Sequence, residues 1–164
     1  MALSETVARL LAWLESTTLS VWVRDATWAY PLIETAHILG FTVLVGSAVM
    51  FDLRLLGLAP SLPVVPSARH LLKWSRLSLL VVLPSGLMLF MTQATETWAN
   101  IAFRLKLLLL CVAALNALLF HLRTRKSMGG WDKQGMPVAA KVSAIVSLIV
   151  WTGVITCGRL IAYL

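Results

Sequence analysis

Cysteine is scarce in this chain, and so is charge. The only two cysteines, Cys111 and Cys157, lie in apolar stretches without CxxC spacing. That excludes a disulfide framework or a thiolate zinc site and reads as two buried thiols. Charged residues make up 13% of the 164 positions, against 59% hydrophobic ones and a mean hydropathy of +0.86, more apolar surface than a soluble domain of this size can bury. Histidines, cysteines and carboxylates form no convergent set of the kind that zinc or di-iron centres need. A phosphate-cradling glycine loop, a nucleophile elbow and a zinc-protease helix are missing too. No cleavable leader is expected, because the first apolar stretch is short, contains Arg9 and Glu15 and follows no basic segment.

What the chain does have is long apolar runs. A membrane-spanning helix takes roughly 20 mostly apolar residues, and four such stretches fit. The expectation is an all-α fold: a four-helix transmembrane bundle in one integral-membrane domain, residues 1–164, with spans at 31–58, 71–93, 102–123 and 138–162. Residues 1–29 form an interfacial segment. In it Leu3, Val7, Leu10, Leu11 and Leu14 recur at helical spacing behind a Ser4 cap, which predicts a short amphipathic helix on the membrane surface. Trp22, Trp28 and Tyr30 suit the headgroup level, as does Trp131. Ala36, Gly40, Val43 and Ser47 make a narrow seam for a neighbouring helix. Pro60, Pro63 and Pro66 stiffen a 59–68 connection, and Pro84, Ser85 and Gly86 predict a mid-span kink.

The formal charge of +7 is distributed unevenly. Nine basic residues fall in the 52–77 and 121–141 connections: Arg54, Arg69, Lys73, Arg76, Arg123, Arg125, Lys126, Lys133 and Lys141. Five (Arg9, Arg24, Arg104, Lys106, Arg159) share the other side with Glu5, Glu15, Asp25, Glu34 and Glu96. The positive-inside rule then places both basic connections in the cytoplasm of a bacterial inner membrane and both termini in the periplasm. Anionic headgroups account for the basic pI without a nucleic-acid partner.

Ionisable groups inside a span cost about 2.5–3.5 kcal/mol each on insertion scales, so they face a cavity, a partner or a cofactor. Glu34 and His37 lie one turn apart near the outer end of span one. Lys106 lies at a similar depth in span three, and Arg159 near the outer end of span four. In an up-and-down bundle spans one and three are diagonal, which lets His37 and Lys106 point at each other. A histidine in this setting is a ligand, a proton carrier or a hydrogen-bonded packing residue. His70, among Arg69, Lys73 and Arg76, reads as exposed, and His121 as interfacial; sharing a side, they offer an alternative bis-histidine site.

Haem fits this inventory because it needs only one or two axial nitrogens, an apolar slot and cations near its propionates. His37 supplies the nitrogen, and Gly40 and Ala36 leave room. Arg159 or Arg104 meets the propionates. Lys106 is either a second axial ligand or a propionate partner, and Glu34 or Lys106 handles coupled protons.

The residues Trp28, Pro31, Glu34, His37 and Gly40, the run Asp52-Leu53-Arg54-Leu55-Leu56-Gly57, and Lys106-Leu107, Asn116, Trp131, Trp151 and Gly158-Arg159-Leu160 resemble a bacterial integral-membrane family of unknown function over nearly the whole chain. More distantly, the first-span histidine followed by Arg-Leu, and a third span opening with Lys-Leu-Leu-Leu, are similar to HemJ-type protoporphyrinogen oxidases. That resemblance implies haem b and functional roles for His37 and Lys106. The third span, 106–116, is also similar to the copper-resistance D membrane domain. The expected function is therefore a haem b-binding inner-membrane protein in electron transfer or quinone-linked oxidoreduction. Its partners are the bilayer and a quinone or redox protein, and a homo-oligomer is compatible with it. The rival readings are copper handling or transport through Met50, Met88 and Met91, and a non-catalytic assembly subunit whose polar cluster is an internal ion pair.

Overall fold

The computed structural model describes residues 2–124 and 128–164. Every regular element among them is helical: α1 (Ala2–Ser16), α2 (Thr18–Asp25), α3 (Ala29–Leu55), α4 (Val64–Thr92), α5 (Ala94–Ala99), α6 (Ile101–Thr124), a 3-10 turn at Met128–Gly130, α7 (Trp131–Gln134) and α8 (Val138–Leu160). Four of these, α3, α4, α6 and α8, are long and apolar enough to cross a membrane, which is the architecture of a multi-pass membrane protein. They form an up-and-down bundle. Helix α3 packs on α4 and α8, and α6 packs on α8. The fourth edge is looser: α4 and α6 meet only marginally, though Phe90 and Phe103 stack there with ring centroids 5.2 Å apart. The inward face of α6 recurs at helical spacing as Phe103, Lys106, Leu110, Ala113, Asn116 and Phe120, while Leu105, Leu108, Leu115 and Leu122 are exposed, as lipid contact requires.

At the end that carries the chain termini, α1, α2 and α5 close the bundle. Helix α2 falls in the segment read as wholly interfacial, yet Ser20 and Val23 are buried. The Ser20 hydroxyl donates to Met91 O, and Arg24 to Thr92 O, at the end of α4. Thr17 caps α2 by accepting from Ser20 N. Helix α1 starts at Ala2, ahead of the expected Ser4 cap. Trp13, Trp22 and Trp28 are exposed around this end.

The other end differs more from expectation. Helix α4 begins at Val64, inside the stretch expected to be a stiff 59–68 connection. Pro66 sits in its first turn, where a missing N–H costs nothing. Trp131, expected at the membrane interface, is 3% exposed; it packs with Phe51, Leu55, Val64, Ala68, Ala140 and Ala144 in the core of this end. Arg54 is not a free loop cation either. Its guanidinium donates to Asp132 Oδ1 at 2.9 Å and to the Leu62 carbonyl, while Asp132 accepts from Val64 N at the start of α4. Four segments are thereby tied at one point. Arg125 and Lys126 lie outside the described residues.

Candidate functional site

The polar groups within the spans fall into two clusters, at opposite ends of α3. The first surrounds His37. Its Nδ1 lies 3.0 Å from Ser85 Oγ on α4, and that hydroxyl already donates its one hydrogen to the Val81 carbonyl. With its hydrogen on that carbonyl, Ser85 accepts from the ring, an arrangement that puts the imidazole hydrogen on Nδ1 and leaves the lone pair on Nε2. Pro84 and Gly86 flank the serine for separate reasons. Proline leaves the carbonyl one turn before it without its helical donor. Glycine makes space: a Cβ at position 86 would stand 2.9 Å from Cε1 of His37. The ring also stacks against Phe41, with centroids 6.4 Å apart, and Phe41 meets the edge of Trp151 on α8.

Lys106 enters from α6. Its Nζ lies against α8, where a Cβ on Gly158 would be 3.5 Å away, and it acts electrostatically on His37 and Cys157. Among the described residues no hydrogen bond or ion pair engages this amine. Sequence families place residues 8–164 in a family of unknown function, DUF6644. The chain belongs to it. No curated protein and no solved structure matches the chain.

The remaining expected site residues of this DUF6644 protein divide around that cluster. Glu34 is exposed one turn before His37 and acts on it electrostatically. Arg159 is exposed and turned to Tyr163, with a 2.6 Å hydrogen bond and its guanidinium 5.0 Å from the ring centroid. Arg104 is exposed and reaches back to the Ala99 carbonyl. Gly40 does not open a slot, because α4 fills the space: a Cβ there would come within 3.0–3.3 Å of Val82 and Val81. His70 and His121 are both exposed at the other end of the bundle, His70 against the Trp74 ring. Cys111 is exposed rather than buried, and Cys157 is buried. Among the described residues no group of three or more histidine, cysteine or acidic side chains is placed to hold a metal ion. A cleft of about 340 Å³ lies apart from His37, bounded by Glu96, Asn100 and the last four residues.

The second cluster was not anticipated. Asp52 is 7% exposed near the loop end of α3, and its Oδ2 has no hydrogen-bond partner among the described residues. Ser147 on α8 is the neighbouring polar side chain that acts on it. One turn nearer the loop end than Ser147, Ser143 pairs reciprocally with Asn116 on α6, Asn116 Nδ2 donating to the Ser143 carbonyl and Ser143 Oγ to Asn116 Oδ1, both at 3.0 Å. That pair satisfies itself and joins α6 to α8. In the sequence Ser85 reads only as part of a kink and Asp52 only as part of a family-like run, and Ser147 carries no signal beyond being polar in an apolar helix.

Proposed function

We propose that this DUF6644 protein binds haem b through His37 near the end of the bundle that carries the chain termini, and serves electron transfer or quinone-linked oxidoreduction. The observation that carries the reading is the His37–Ser85 bond. A half-buried imidazole whose Nδ1 hydrogen is held by a fixed acceptor presents Nε2 as a lone-pair donor, which is how ligating histidines are oriented. Lys106, on the inward face of α6 and without a partner among the described residues, supplies positive charge for propionates at the same depth. With the Gly40 side closed by α4, the macrocycle would lie along the α4–α6 edge, where few backbone contacts hold the two helices together. When bound, haem supplies one-electron chemistry at its iron. The chain's own part is to fix the ligand's tautomer, to shield it with Phe41 and Trp151, and to keep a charged amine nearby. The likeness of the first and third spans to HemJ-type oxidases points the same way.

The rival readings have less behind them. Met50 lies towards the loop end of α3 and Met88 and Met91 towards the other end of α4, so they do not converge as soft metal ligands. Glu34 and Lys106 form no ion pair among the described residues, so the internal pair invoked for a purely structural subunit has no such contact behind it. The test is a visible spectrum and pyridine haemochrome assay of protein purified in mild detergent. A Soret band and about one b-type haem per chain are expected; a colourless protein that stays colourless when haem is supplied during expression overturns the reading.

A further inference from the structure

We propose that Asp52 is a proton-binding site at the loop end of the bundle, a carboxyl that takes up and releases one proton independently of His37. Three observations converge. Asp52 is 7% exposed, Oδ2 lacks any hydrogen-bond partner among the described residues, and no cation among them pairs with the carboxylate. Arg54, two residues on, is turned away and held by Asp132 and Leu62. Charged residues of the neighbouring helices at this end, Arg69, Lys73 and Arg76 on α4, His121 and Arg123 on α6 and Lys141 on α8, are all exposed. Among the described residues, Ser147 is the side chain that acts on Asp52.

A buried carboxylate in that state is compensated by binding a cation, and the oxygens present decide which. Hard metal cations take six or more oxygen ligands, whereas one carboxylate and one serine hydroxyl converge here. A proton needs a single oxygen. Its binding removes one negative charge and leaves a neutral acid, whose unpaired hydroxyl is far less costly to bury than an unpaired charge. The site is separate from the His37 cluster: the two side chains are fifteen residues apart on α3, roughly 22 Å at 1.5 Å per residue. The α3 positions buried between them, Gly40, Leu44, Val45 and Phe51, carry no group able to relay a proton. Asp52 lies one turn from the loop end of α3, the nearer route for exchange, and the proposal does not depend on haem.

The experiment combines two readouts on full-length protein in detergent. Dicyclohexylcarbodiimide, an apolar reagent that adds only to protonated carboxyl groups, should modify Asp52 at pH values where exposed carboxylates are already charged, as read by peptide mass mapping. It should leave the exposed Glu34 and Glu96 untouched. Labelling should fall about tenfold per pH unit above the titration midpoint. Infrared difference spectra between wild type and Asp52→Asn should show a protonated carboxyl stretch that disappears along the same pH profile. Asp52→Glu should retain labelling, which covers the case in which Asp52→Asn does not fold. Ser147→Ala should move the midpoint, because it removes a hydrogen bond to the charged form. An ionised carboxylate at Asp52 throughout the range in which exposed carboxylates are charged, with no labelling in wild type or Asp52→Glu, would overturn the proposal.

Discussion

A serine beside a proline is easily taken for a helix-kink residue, and at position 85 that reading hides its contact. Ser85 accepts the His37 hydrogen because its own hydrogen is committed to Val81. Ser85→Ala should therefore leave His37 able to reach iron but free to turn, weakening haem retention about 10- to 100-fold with little change in thermal stability. Haem titration of the apo-variant against wild type measures this, and equal affinities would make Ser85 a packing residue only. His37 and Lys106 were legible because an ionisable group in an apolar helix is costly enough to demand a reason. Ser85 was not, since a lone serine in a helix bonds its own backbone in most settings. Asp52 was equally hidden: it sits in the last turn of its helix beside Arg54, where a charge is unremarkable until α8 is seen to cover it.

The elements themselves were legible in proportion to their apolar length. Helices α3, α4, α6 and α8 announce themselves as runs that only a bilayer accommodates, whereas α2 and α7 are short and depend on contacts made by other segments. The loop end illustrates the difference. Arg54, Leu62, Val64 and Asp132 meet through hydrogen bonds spanning up to 78 residues of sequence, and no local pattern encodes that meeting. The Arg54 side chain is 7% exposed and that of Asp132 38%, so the two truncations should be unequal. Asp132→Ala strands a buried cation and should cost about 3–5 kcal/mol. Arg54→Ala leaves a carboxylate that water can still reach, and about 1–2 kcal/mol is expected once solvent screening is allowed for. Thermal unfolding in detergent, followed by helical circular dichroism, ranks the two variants. The reverse order would show that the knot is not held by this pair.

For the whole molecule, orientation in the bilayer follows from where free cations lie. Even with Arg54 paired off, the loop end keeps the larger share of basic residues, so a cytoplasmic loop end is the orientation the positive-inside rule leads one to expect. Reporter fusions at either terminus should then read as periplasmic, and reporters inserted at 59–61 as cytoplasmic. Cytoplasmic signals from both terminal fusions would exchange the two sides, putting His37 near the cytoplasm and Asp52 near the periplasm. The central claim is tested most directly by the haem content of His37→Ala at matched protein level. Loss of the Soret band, with the helical spectrum and elution volume unchanged, is the predicted result. Wild-type haem in that variant would contradict the account.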